Sequence, residues 1–162
     1  MLRFFIQFVV VFLLFIFSTF FAWYEGSTIL ENPWEWKYST PFSQLLNREI
    51  LNASDISQLD YFIYAAKFQP TFPVIMVISS LYLLILIGYY SFKKKYKWFA
   101  YYLFFLGGGL SLLSYIIYHS TTLGGEILYC ICLVSSVLCI AAATISYFQI
   151  FNRNSNDITN LH

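Results

Sequence analysis

Three polar residues of this sequence lie where their side chains could do chemistry: Glu25, His119 and Glu126, each at the predicted outer end of an apolar run. Histidine titrates near neutral pH and carboxylates attract cations, so the three together would suit cation binding or pH sensing. Polar residues at helix ends also commonly only meet water, and Glu126 in a first helical turn would complement the helix dipole. The pattern leaves both interpretations open.

Three cysteines, Cys130, Cys132 and Cys139, all lie in the last apolar run. Membrane enzymes that form disulfides with a quinone need a reactive cysteine pair, and the oxidases also need loop cysteines. Here Cys130 and Cys132 diverge on a helix, and there is no CxxC motif. We predict that the thiols pack as small apolar groups. With no Ser/His/Asp set, phosphate loop or metal-ligand spacing either, the sequence predicts no catalytic residue, cofactor or metal.

Aromatic and charged residues alternate in the segment that contains Trp34, Trp36 and Tyr38. A period of two predicts an extended segment with the three rings on one face. Such a face could serve a ligand, a lipid head group or a partner peptide. The alternative is that the rings only seat the segment at a membrane interface, where amphipathic aromatics concentrate.

Four long apolar runs must position these residues. Of 162 residues, 59% are hydrophobic and only 10% charged, against about 25% charged in soluble domains. A spanning helix needs roughly 20 apolar residues. The four runs meet that length and have no charged residue in their interiors; they are residues 4–24, 72–92, 98–118 and 127–151. The sequence predicts an all-α fold, a four-helix transmembrane bundle in a single integral membrane domain.

Orientation is predicted from a lysine cluster in the link after the second run. Positive charges collect on the cytoplasmic side of a membrane, which places this link and both termini in the cytoplasm. The cluster could also bind anionic lipid head groups. Because no ionisable residue lies at mid-depth, the pattern argues against an ion-coupled transporter. The cluster comprises Lys93, Lys94, Lys95 and Lys97.

Residues 25–71, here called the cap, form the only sizeable polar region and would face outward. A structureless loop of that length is unusual, so we expect the cap to be partly helical. Thr40 followed by Pro41 predicts an N-cap and first helical residue, with a short helix through about Leu51.

A second helix of the cap is predicted after a capping box of Asp55 with Gln58. Its apolar residues recur at helical spacing and would form one stripe. We expect this helix to lie on the membrane surface or on the ends of the spanning helices. The stripe comprises Ile56, Leu59, Phe62, Ile63 and Ala66.

Small residues recur at three- and four-residue steps along the third and fourth runs. Such faces let helix backbones approach closely, which predicts tight packing between these two helices. A self-association face or a narrow pore lining is the alternative. The small residues are Gly107, Ser111 and Ser114 in the third run and Cys132, Ser136, Cys139 and Ala143 in the fourth.

Two stretches of the sequence resemble a known family. Residues 20–27, FFAWYEGS, followed by residues 34–42, WEWKYSTPF, look like a family of small multi-pass membrane proteins from Firmicute bacteria, a domain of unknown function. The resemblance covers about the first third to half of the chain. It implies a bacterial plasma membrane and carries over no activity and no functional residues.

The leading functional prediction is a non-enzymatic accessory, sensor or interaction subunit that acts through its outer cap. One alternative is an oligomeric channel or transporter that uses the small-residue faces. The other is a membrane-embedded lipid-modifying enzyme that uses Glu25, His119 or Glu126. Expected partners are membrane lipids and a protein partner or further copies of the chain; the net charge of +1 gives no indication of nucleic acid.

Overall fold

The computed structural model describes residues 2–46, 50–93, 95–118, 120 and 122–159, with side chains as far as residue 148. Every regular element in these ranges is helical, and none is a strand. The α-helices are α1 Leu2–Gly26, α2 Trp36–Ser39, α3 Pro41–Leu46, α4 Gln58–Phe68, α5 Thr71–Ser91, α6 Tyr96–Ile117 and α7 Leu123–Thr159. Three 3₁₀ turns join them in the cap: Ser27–Glu31, Pro33–Glu35 and Ala53–Asp55.

Four of these helices are long and apolar enough to cross a membrane. They begin at Leu2, Thr71, Tyr96 and Leu123, and the apolar part of the last reaches Phe148. Many of their large side chains are exposed, as expected for helices covered by lipid rather than water. The predicted all-α fold, with four spans and a partly helical loop between the first two, is confirmed.

The last helix is longer than predicted at both ends. It begins at Leu123 instead of residue 127 and its backbone continues to Thr159. Thr122 starts it: the hydroxyl accepts a hydrogen bond from the Gly125 amide at 3.3 Å, and the carbonyl accepts one from the Glu126 amide at 3.0 Å. Capping by a threonine side chain therefore overrides the two glycines, which favour a turn.

The chain forms two compact units. The first comprises Met1–Leu83 with Ser120–Leu128, and the second comprises Leu84–His119 with Tyr129–His162. In the first unit, α5 begins against α1, where the rings of Phe72 and Phe21 stack with centroids 4.9 Å apart. In the second, the Tyr102 hydroxyl donates to the Leu84 carbonyl at 3.0 Å, across the Lys-rich link.

Candidate functional site in the cap

The cap has a small core of its own. Ile29, Ile56, Tyr61 and Tyr64 are buried together, and partly buried side chains surround them: Trp23, Leu30, Trp36 and Ile50. Asn32 donates from its amide to the Tyr64 hydroxyl at 2.9 Å, so the polar end of that ring is satisfied. The segments before and after residues 47–49 are therefore held by one core built around α4.

Helix α4 lies across the ends of other helices. A Cβ atom on Gly26, the last residue of α1, would lie 2.0 Å from the Tyr61 carbonyl oxygen. A Cβ atom on Gly124, in the first turn of α7, would lie 2.1 Å from the Ala66 carbonyl oxygen. Because only glycine leaves room for such contacts, α4 is seated directly on the backbones of α1 and α7.

A fully buried carboxylate fastens α3 to the first turn of α4. The Phe42 and Ser43 amides donate to the two oxygens of Asp60, each at 2.9 Å, and the Ser43 hydroxyl donates to Asp60 as well. Ser43 in turn accepts from the Ser57 amide at 2.7 Å. Asp60 thus caps a helix 17 residues away in sequence, and its charge is stabilised by three donors.

A lysine near the other end of α4 holds the segment that precedes α3. The Lys67 ammonium donates to the Tyr38 carbonyl at 2.6 Å and to the Ser39 hydroxyl at 3.2 Å, and Ser39 donates to Glu35 at 3.1 Å. Burial lowers the pKa of Lys67, and the Glu35 carboxylate opposes part of that shift. Residues 38–43 are therefore tied along α4 at both ends.

The predicted start of the first cap helix is confirmed: α3 begins at Pro41, and the Thr40 carbonyl accepts from the Gln44 amide at 3.0 Å. The side-chain cap, however, comes from Asp60, because the Thr40 hydroxyl donates backward to the Trp36 carbonyl. The predicted helix end at about Leu51 is not observed: the described part of α3 reaches Leu46, residues 47–49 lie outside the described residues, and Leu51 is not helical.

The capping box expected for the second cap helix is wrong. Ser57 is the N-cap of α4, while Asp55 forms a capping box with Asn52.

The buried face of α4 also differs from the predicted stripe. It consists of Asp60, Tyr61, Tyr64 and Ala65, whereas Leu59 of the stripe is exposed. A pattern of apolar residues misses this face because its central side chain is charged and is satisfied by backbone donors from another segment. The spacing of residues in the sequence gives no indication that Ser43 pairs with Asp60.

The aromatic segment is helical, so the expected extended face is wrong. Trp36 turns inward against the cap core and donates from its indole nitrogen to the Ile29 carbonyl at 2.9 Å. Trp34, in a 3₁₀ turn, is 89% exposed, and Tyr38 is 68% exposed. Trp36 therefore fixes the segment, while Trp34 and Tyr38 are presented outward.

The three polar residues at the helix ends are only partly placed. Glu25 is half-buried, and within the described residues its Oε2 atom is buried without a hydrogen-bond partner. Glu126 is exposed in the first turn of α7, and His119 lies outside the described residues. Among the residues searched, no group of three or more His, Cys, Asp or Glu side chains is placed to hold a metal.

A polar seam in the second unit joins α6 to α7. The Ser111 and Ser136 hydroxyls lie 2.6 Å apart, and Ser136 also donates to the Gly107 carbonyl at 2.8 Å. A Cβ atom on Gly107 would lie 2.7 Å from Ile140 and 3.3 Å from the Cys139 Cβ atom. Ser114 is buried as well, together with one face of α7: Cys132, Ser136, Cys139 and Ala143. These small residues are engaged in packing within one chain.

The remaining predicted residues are placed as follows. Cys132 and Cys139 are buried while Cys130 is exposed, and all three thiols are free. Of the lysine cluster, Lys93, Lys95 and Lys97 are exposed around the link between α5 and α6, and Lys94 lies outside the described residues.

Comparison with known proteins gives a family but no activity. A family model described as "Domain of unknown function (DUF4306)" matches residues 5–92, which contain α1 from residue 5 onward, the cap and α5. The chain is 39% identical over 74 residues to "Uncharacterized protein YjdJ" of Bacillus subtilis (strain 168), covering 44% of this chain and 68% of that relative. No solved structure matches. The match to the family model covers more than half of the chain. The chain therefore belongs to the DUF4306 family, whose function is unknown.

Proposed function

We propose that this small membrane protein is a non-enzymatic accessory, sensor or interaction subunit of the bacterial plasma membrane. Its cap faces outward, its termini face the cytoplasm, and it acts by binding a protein partner through the cap. The support for orientation is the lysine cluster between α5 and α6. The support for a bacterial membrane is the relative from Bacillus subtilis.

The observation that carries the proposal is the exposed Trp34 on a fixed backbone. The 3₁₀ turn Pro33–Glu35 lies between Ile29, which is fully buried, and Trp36, whose indole is bonded to the Ile29 carbonyl. Tryptophan is the residue most enriched at the energetic centres of protein interfaces. A large ring held outward by a rigid turn loses little entropy on binding, which favours a recognition role.

The two alternative functions receive less support from the arrangement of side chains. A channel would need the small polar residues of α6 and α7 to line a water path, but Ser111, Ser136 and the Gly107 carbonyl satisfy one another. A lipid-modifying enzyme would need Glu25, His119 and Glu126 to act together. Glu126 is exposed, and the Glu25 Oε2 atom has no hydrogen-bond partner among the described residues.

Photo-crosslinking in the native membrane tests the proposal. A photoreactive amino acid is placed at Trp34, at Trp36 as the inward-facing control, and at Phe105, which is 83% exposed on α6. We expect one stoichiometric protein partner from position 34 and none from positions 36 and 105. Partner bands of equal intensity at all three positions, or turnover or solute flux by the purified protein in liposomes, would reject it.

A further inference from the structure

The polarity of residues 36–46 is reversed relative to a water-exposed helix pair. Ser39, Thr40 and Ser43 are fully buried, whereas large apolar side chains of the same segment point outward. In α3, Leu45 and Leu46 are 83% and 79% exposed. These two residues follow Phe42, also exposed, by three and four positions, so all three share one face of the helix.

Every inward polar group of this segment has a partner. Ser43 and the Phe42 amide bind Asp60, and Ser39 binds Lys67 and Glu35. A protein in hydrocarbon must have this arrangement, in which polar groups bind one another inside and apolar side chains lie outside. In water the same arrangement would leave an apolar patch without cover.

The segment is also held, through α4, at the ends of two apolar helices, α1 and α7. Asp60 and Lys67 tie it to the two ends of α4, and α4 lies on Gly26 of α1 and Gly124 of α7. Gly26 follows Tyr24 by two residues, and Tyr24 is exposed at the end of α1, as tyrosines at the membrane interface are. The apolar face of α3 is therefore fixed, through α4, to the end of a helix that is apolar enough to span the membrane.

We propose that the face formed by Phe42, Leu45 and Leu46 is embedded in lipid, at the boundary between head groups and acyl chains of the leaflet on the cap side. The exposed Lys37, whose ammonium lies 6.0 Å from the centroid of the Tyr38 ring, would reach the phosphate layer from this position. The bilayer is favoured over a second copy of the chain because α4 fixes the segment at the ends of the spans. This assignment goes beyond the proposed function and does not depend on a protein partner.

Spin-label accessibility of the full chain tests this inference. Cys130 is exposed while Cys132 and Cys139 are buried, so Cys130→Ala removes the accessible thiol, and that parent measures background labelling. Leu45→Cys and Leu46→Cys are labelled separately in this parent, which is reconstituted in phosphatidylethanolamine and phosphatidylglycerol vesicles. Glu31→Cys is the water-exposed control within the cap, and Leu138→Cys, on an exposed face of α7, is the lipid control.

We expect labels at positions 45 and 46 to collide with oxygen but not with a water-soluble nickel complex, as at position 138. The ratio of the two accessibilities should exceed that at position 31 several-fold. Nickel accessibility equal to that at position 31 would overturn the assignment. Protection of both positions from oxygen and from nickel would also overturn it, because that result would mean that protein covers the face. In that case, dipolar broadening between labels would identify the cover as a second copy of the chain. Trp34 crosslinking reports on the proposed function independently of these results.

Discussion

Asp60 shows how much of the cap depends on one side chain. Its carboxylate is fully buried and receives two backbone amides and one hydroxyl from α3. A buried donor left without an acceptor costs about 1–3 kcal/mol. The described part of α3 has six residues, and so short a helix is not stable by itself. Its position in the cap is therefore set by this carboxylate.

Replacing Asp60 should therefore release α3. We expect Asp60→Ala to destabilise the docked state of residues 41–46 by about 2–4 kcal/mol, because two amides lose their acceptor. Hydrogen exchange at the Phe42 and Ser43 amides measures the effect directly. The matched control is Asp55→Ala, which removes a carboxylate that accepts from Leu51 and Asn52 at exposed positions.

Because water can replace the Asp55 carboxylate, that control should cost only about 0.5–1 kcal/mol. Equal effects of the two substitutions on exchange at Phe42 and Ser43 would contradict a special role for Asp60.

Lys67 gives the cap a pH dependence at alkaline pH. Its pKa in the folded cap is below the ordinary value of about 10.4, because burial disfavours the charged form. When the pH is below the pKa that Lys67 has in the folded cap, the ammonium is charged in both the folded and the unfolded chain, and its burial penalty is fully present. When the pH lies between that pKa and the ordinary lysine pKa, the unfolded chain binds more protons than the folded chain. The free energy of unfolding must therefore rise with pH in that range.

We expect the melting temperature of the cap, relative to that of a Lys67→Arg variant, to rise as the pH approaches the ordinary lysine pKa of about 10.4 from below. Arginine keeps its charge throughout this range, so it removes the titration without removing the cation. All other residues are the same in both proteins, so their contributions cancel in the comparison. Parallel pH profiles for the two proteins, recorded by thermal unfolding in nanodiscs, would be inconsistent with this assignment.

Residue-level contacts were the part of the cap that sequence patterns predicted least well. Hydropathy periodicity assigns the inner face of a helix to its apolar residues, but α4 buries Asp60 and exposes Leu59. The alternation around Trp36 predicts an extended segment, but the packing of that ring against Ile29 selects a 3₁₀ turn and a helix instead. Both errors have one cause: tertiary hydrogen bonds outweighed local pattern.

At the scale of the helices, the prediction from sequence was better. The four spans were identified because about 20 uncharged apolar residues allow few alternatives to a helix in lipid. The seam between α6 and α7 follows from small residues at helical spacing. The sequence does not indicate, however, which glycine of the run Gly107–Gly109 contacts α7. In the structure it is Gly107.

Two neighbouring glycines of α6 provide a test of the seam. A Cβ atom at Gly107 would meet Ile140 at 2.7 Å, while one at Gly108 would meet nothing within 4 Å. We expect Gly107→Ala to destabilise the helix pair by about 1–3 kcal/mol through overpacking. Gly108→Ala should be neutral or stabilising by up to about 1 kcal/mol, because alanine favours the helix.

The melting temperatures of the two variants, measured by thermal unfolding in the same detergent, test this prediction. A lower melting temperature for Gly108→Ala than for Gly107→Ala would show that the α6 surface toward Gly108 is the one in contact. That result would revive self-association as the role of these residues.

At the scale of the molecule, the family match divides the chain at the lysine link. The matched residues 5–92 contain most of α1, the cap and α5, so the Asp60 and Lys67 contacts lie in the part shared with the family. The seam of α6 and α7 lies outside the match. The aligned 74 residues are 68% of the relative, which is therefore roughly 110 residues long, some fifty fewer than this chain. The cap is the largest polar part of the matched region.

The orientation of the whole molecule is the last prediction, and it rests on charge alone. The lysine cluster is concentrated in one short link, whereas the cap carries three dispersed basic residues, Lys37, Arg48 and Lys67. Short loops with several lysines stay cytoplasmic. In intact cells, a membrane-impermeant maleimide should therefore label Glu31→Cys in the cap, and should label Tyr96→Cys, beside the link, only after permeabilisation. Both variants carry Cys130→Ala.

Replacing all four lysines of the cluster with glutamine should reduce labelling of Glu31→Cys in intact cells, because the charge difference that orients the chain is then lost. The control is the same replacement of Lys37, a basic residue of the cap that is exposed, which should leave labelling unchanged. Labelling of Tyr96→Cys, but not of Glu31→Cys, in intact cells would invert the topology. The cap and its exposed Trp34 would then face the cytoplasm, and the search for a partner would move to that side.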